Sequence, residues 1–135
     1  MPPTTSRDYQ RAAAQRFTAA EALQLVRLCL DAQYLGGYTV ECSLKALILH
    51  QTPSAERPAT LLRISSGARM HLPDVLLGEL RDLGSTLPPG IAGRFKRFRW
   101  ATDLRYETGR GDFGETVAFL KTAKLIYDWV EEQLS

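Results

Sequence analysis

The stretch "YLGGYTVECSLKALILHQ", residues 34–51, decides what kind of molecule this is. Its apolar residues do not alternate as they would on a half-buried strand. They recur in a helical pattern that continues despite two glycines. Gly36 and Gly37 sit inside that pattern, where each costs up to about 1 kcal/mol relative to Ala. A helix that keeps two glycines is expected to have another helix backbone close against it.

Working outward, "SRDYQRAAAQRFTAAEALQLVRLCLDAQ" (6–33) is rich in Ala, Leu, Arg and Gln and reads as a first helix. Ser6 is its expected N-cap, with Asp8 in the first turn. The break before the second helix is placed near Asp31–Tyr34. Residues 52–70, with Pro53, Pro58 and Gly67, read as an excursion loop carrying one helical turn at 59–64. "HLPDVLLGELRDLGSTL" (71–87) reads as a short amphipathic helix, with Pro73 near its start and Gly84 near its end. A turn at 88–90 precedes a helix over roughly 91–106, and residues 107–114 break the chain again. The last helix carries Phe119, Leu120, Ala123, Ile126, Tyr127, Val130 and Leu134 on one face. The expected fold is all-α, an up-and-down bundle of about five helices in one domain over residues 1–135.

Composition narrows the function classes. With 17 basic and 15 acidic residues the formal charge is +2, too small to argue for nucleic acid by itself. The charge is uneven, however. Residues 94–110 hold Arg94, Lys96, Arg97, Arg99, Arg105 and Arg110 against Asp103 and Glu107, a local +4 that leaves −2 for the rest. Cys29 and Cys42 lie within apolar helical patterns and read as reduced thiols. With His50 and His71 they match no zinc spacing, so no metal or cofactor is expected. No apolar run reaches membrane-spanning length, and a cytoplasmic protein is expected.

Within "RFKRFRWATDLRY" (94–106), a helical wheel puts Phe95, Phe98, Thr102 and Tyr106 on one face. Arg94, Arg97 and Arg105 form a neighbouring stripe, and Trp100 with Leu104 makes a second apolar patch. The aromatics are therefore core anchors before they are stacking surfaces for bases. "RGD" at 110–112 is a short match of high chance frequency and carries no role.

Four pieces together resemble HEPN domains, small helical bundles of toxin–antitoxin and defence systems. They are "YLGGYTVECSLKALI" (34–48), the His71-Leu72 opening of the next helix, "WATDLRY" (100–106) and the closing "AKLIYDWVEEQL" (123–134). The resemblance implies a homodimer. It further implies either a metal-independent ribonuclease or a non-catalytic partner of a small nucleotidyltransferase or defence effector. Catalytic members carry an arginine and, four to six residues later, a histidine. Arg105 matches the arginine, but Arg110, Gly111 and Asp112 occupy the histidine positions, and no histidine follows residue 71.

Cleavage without a metal needs a base for the 2′-OH proton and a cation for the phosphorane. Arg105 would supply the cation, leaving His71 or a carboxylate, Glu41 or Asp103, as base. A carboxylate among arginines is a poor base near neutrality. The expected function is thus a non-catalytic module binding RNA, a nucleotide or a protein partner. Arg94, Lys96, Arg97, Arg99, Arg110 and Lys45 would do the binding. The alternative is a ribonuclease with a divergent site built from Arg105, His71 and Glu41. Glu41 and Lys45, four apart, form an ordinary helix ion pair on the plainest reading. Because their segment is otherwise apolar, these charges are also expected to be partly buried and to need partners, and Glu41 is expected to pair with Arg105, with Lys45, Tyr38 and Tyr106 around it.

Overall fold

The computed structural model describes residues 2–98 and 111–135. Six α-helices lie among them: α1 (Ser6–Leu25), α2 (Cys29–Gln51), α3 (Arg57–Ile64), α4 (Pro73–Asp82), α5 (Pro89–Phe95) and α6 (Phe113–Leu134). The protein is an all-α bundle, with six helices among the described residues where about five were expected. The addition is α3, which together with 3-10 turns at Ser54–Glu56 and Ala68–His71 replaces the excursion loop. Pro58 stands in the first turn of α3, where its missing N–H leaves no bond unmade, so it starts the helix instead of breaking it.

Helix α2 is the axis of the fold. It buries residues on every face, including Val40, Leu44, Leu47 and Ile48 with no exposure at all. Around it stand α1, α4 and α6. Helix α6 turns inward Phe119, Leu120, Ala123, Ile126 and Val130, as its spacing required, while Tyr127 and Leu134 are only partly covered. Gly36 answers the question its presence raised in a different way. A Cβ there would stand 2.5 Å from Leu120 Cδ2 and 3.1 Å from Phe119 Cε2. The close approach is by side chains of α6, not by its backbone.

The first helix starts and stops elsewhere than expected. Its N-cap is Thr5, one residue before Ser6, because Thr5 and Asp8 form a reciprocal capping box. The Asp8 backbone N–H donates to Thr5 Oγ1, and the Thr5 N–H donates to Asp8 Oδ2, each at 3.1 Å. The α1–α2 break lies at Val26–Leu28, not at Asp31–Tyr34. The Arg27 N–H donates to Gln24 O and the Leu28 N–H to Leu23 O, a Schellman ending. Its left-handed position, φ 62°, is held by Arg27 where glycine is usual. The Arg27 guanidinium lies 4.0 Å from the centre of the Phe113 ring, a cation–π contact that offsets the conformational cost.

Two further boundaries move. Helix α4 ends at Asp82, two residues before Gly84, which takes φ 94° just past its end. Helix α5 begins at Pro89 and ends at Phe95, with a turn at 96–97, and the remainder of the helix expected over 91–106, from 99 on, lies outside the described residues. Phe95 is buried as expected. Phe98 reaches the core through that turn, packing edge-on against Phe119 with ring centres 5.2 Å apart.

Candidate functional site

Helix α2 carries Tyr34, Tyr38, Glu41 and Lys45 at spacings of four, three and four, which aligns them along one stripe. At its upper end the Tyr34 and Tyr38 hydroxyls are hydrogen-bonded at 2.9 Å, with the rings edge to face. Below them, Glu41 and Lys45 are almost fully buried, at 4 % and 3 % exposure. Lys45 Nζ donates to Glu41 Oε2 at 2.8 Å. The same oxygen meets His71 Nδ1 at 3.0 Å. His71 arrives from the end of the 3-10 turn before α4, so the contact ties that turn to the central helix.

The pair expected from the four-residue spacing is present, but its setting is not the ordinary one. An exposed pair of this kind contributes a few tenths of a kcal/mol. Inside the bundle neither charge can be left alone, and the loss of one partner strands the other. Lys45 is therefore not part of a binding surface. It is buried against Glu41.

The contact also fixes the imidazole. Beside an ammonium group Glu41 acts as an acceptor, so the shared proton sits on His71 Nδ1. In a neutral ring this leaves Nε2 as the unprotonated nitrogen. The His71 side chain is 41 % exposed, whereas the glutamate below it is 5 % exposed. A buried carboxylate orienting a half-exposed imidazole is the arrangement that readies a histidine for proton transfer. Glu41 Oε1 is buried with no hydrogen-bond partner among the described residues.

Cys42 adjoins this cluster. Burial, with the Glu41 charge adding to it, pushes its thiol up to about 12. A thiol held neutral is a poor nucleophile and a poor metal ligand. Both cysteines are free, and among the described residues no group of three or more His, Cys, Asp or Glu side chains is placed to hold a metal ion. Nor is any described helix long and apolar enough to cross a membrane.

A second constellation lies on the other side of α6. Arg94, Lys96 and Arg97 at the end of α5 are exposed, as is Lys121 of α6. None of the four has an ion-pair partner among the described residues. A groove of about 720 Å³ between α5 and α6 is edged by Arg94, Arg97 and Lys121. It shares Arg94, Val117 and Lys121 with a trough of about 700 Å³ between α1 and α6. Lys121 and the trough were not legible from the sequence. They depend on how α1, α5 and α6 are placed against one another.

The structure thus brings together Glu41, Lys45 and His71 in one place, and Arg94, Lys96 and Arg97 in another. Arg99, Arg105, Tyr106 and Arg110, and with them the expected Glu41–Arg105 pair, lie outside the described residues. His50 is exposed at the end of α2 and joins neither group. Compared with protein-family models, curated proteins and solved structures, the chain matches none.

Proposed function

We propose that the chain is a HEPN-like helical module that binds RNA or a nucleotide without cutting it. In this reading it works as a homodimer beside a nucleotidyltransferase or an effector of a toxin–antitoxin or defence system. The observation that carries the reading is a group of exposed cations, Arg94, Arg97 and Lys121, that have no ion-pair partner among the described residues and border two joined grooves, with Lys96 exposed beside them. Like charges gathered without carboxylate partners repel one another, and an anionic ligand relieves that repulsion. The absence of any histidine after residue 71 supports binding over cleavage.

Fluorescence anisotropy with a labelled single-stranded RNA tests this directly. Three or four phosphate contacts give a salt slope of roughly −2 to −3, since each contact on a single strand contributes about −0.7. Arg94→Ala with Arg97→Ala should flatten that slope by about 1.4. Absence of binding at low salt would end the reading. Light scattering reports the oligomeric state.

One observation favours a second reading, a divergent ribonuclease: Glu41 orients the half-exposed His71 by its Nδ1. RNA cleavage in EDTA that His71→Ala abolishes, with RNA binding retained, would establish it. An uncut substrate leaves the binding module.

A further inference from the structure

The cleft between α4 and α5 differs in kind from the two basic grooves. It holds about 440 Å³, within the roughly 300–1,000 Å³ that small-molecule sites occupy. Its lining is mostly apolar: Leu87 and Phe95 are buried, and Leu77 and Phe98 are partly covered. Both sides are anchored to the rest of the bundle. Phe98 packs edge-on against Phe119 of α6, and α4 follows the turn that His71 ties to Glu41 of the central helix.

Two charges of opposite sign edge this apolar space. Asp74 stands in the first turn of α4 and Lys96 at the end of α5, the helix ends at which each sign is favoured. Both are exposed, and neither side chain has a hydrogen-bond or ion-pair partner among the described residues. They border one cavity without neutralising each other.

We infer that this cleft binds a free α-amino acid with a large apolar side chain. The side chain lies among Leu77, Leu87, Phe95 and Phe98, the α-ammonium donates to Asp74, and Lys96 donates to the α-carboxylate. Charge complementarity chooses the occupant. A fatty acid would leave Asp74 unmet, and an apolar amine would leave Lys96 unmet. A small polar amino acid would leave the apolar lining in water, and a nucleotide would set polar edges against it. Burial of the side chain supplies most of the affinity, and the two charged contacts select the zwitterion. The inference goes beyond the RNA reading and is independent of it, since Lys96 stands beside the joined grooves and lines neither.

NMR titration of the isotope-labelled full chain with L-phenylalanine tests the arrangement, alongside phenethylamine, 3-phenylpropionate and N-acetyl-L-phenylalaninamide. L-Phenylalanine should bind, with shifts centred on the amides of Leu77, Leu87 and Phe95. The amine and the acid should each bind about tenfold more weakly, the effect of one lost charge-assisted contact, and the neutral amide more weakly still. Asp74→Asn should weaken L-phenylalanine by a similar factor and leave 3-phenylpropionate unchanged. Lys96→Gln should weaken L-phenylalanine and leave phenethylamine unchanged. Both substitutions alter exposed side chains, and circular dichroism checks that the helices are kept. No shift with millimolar L-phenylalanine would overturn the inference. Equal affinity for the neutral amide would assign the cleft to a side chain of a peptide and overturn it as well. So would L-phenylalanine binding that neither variant weakens. RNA binding by a protein that takes up no amino acid would remove this inference alone and leave the RNA-binding module standing.

Discussion

Glu41 and His71, thirty residues apart, meet at 3.0 Å through a single carboxylate oxygen that also holds Lys45. One side chain thus has three duties. It neutralises a buried lysine, it anchors the turn before α4 to the central helix, and it sets which nitrogen of the imidazole carries the proton.

Removing that carboxylate should be costly, and the cost should lie mainly with Lys45. Glu41→Leu strands a buried ammonium, and urea denaturation should show a loss of about 3–5 kcal/mol. Adding Lys45→Met removes the stranded charge and should recover most of the loss. If the double variant is as unstable as the single one, the buried pair is not the source of the effect.

Gly36→Ala should destabilise the bundle even though alanine is the better helix former. The gain in helix propensity is about 1 kcal/mol. Against it stands a Cβ at 2.5 Å from the buried Leu120, and overpacking of this kind costs about 1–3 kcal/mol. Leu120→Ala opens space at the same point, so the two substitutions should be less damaging together than their separate effects predict. A thermal melt of all four proteins measures this.

The capping box makes the start of α1 sensitive to acid. Hydrogen bonds from Thr4 and Thr5 hold the Asp8 carboxyl down at about 2, below its ordinary 3.8. A lowered carboxyl stabilises the folded state above the ordinary value, and that contribution is lost as pH falls from about 4 to 2. Asp8→Asn should remove this part of the pH dependence. Thr5→Ala should cost about 1 kcal/mol at neutral pH, measured by denaturation.

Cys42 should resist thiol reagents in the folded protein. With its thiol pushed up to about 12, almost none is thiolate at pH 8, and the thiolate is the reacting form. The raised value also means that a stabilising contribution present below pH 9 fades as pH rises toward 12. Iodoacetamide labelling followed by mass spectrometry should modify Cys42 slowly in buffer and rapidly in urea. Rapid labelling without denaturant would contradict its burial.

The long helices were legible in the sequence because their apolar periodicity is strong and their faces are wide. The core positions of α6 and the anchoring of Phe95 follow from that pattern. The boundaries were not legible where side chains replaced the usual signals. Arg27 holds a position glycine normally takes, and only its stacking on Phe113, 86 residues away in sequence, makes that tenable. Pro58 read as a breaker and starts α3. The Glu41–Lys45 spacing was visible, and the apolar segment around it pointed to burial, but which neighbours cover the pair was not, because helical periodicity does not say what packs over a polar stripe. His71 was singled out by its position before α4, while its partner could be found only in three dimensions. Lys121 reads in sequence as an ordinary exposed cation of α6, and only the packing of α5 gives it company.

The hydrogen bond from Gln10 to Tyr127 and the Arg7–Glu131 pair set the first turns of the bundle beside its last. A donor dye at residue 2 and an acceptor at residue 135 would therefore transfer energy more efficiently while α6 is docked against α1 than after it has moved away. Energy transfer between them reports that docking separately from total helix content. It would show whether the closing helix leaves first when the bundle opens.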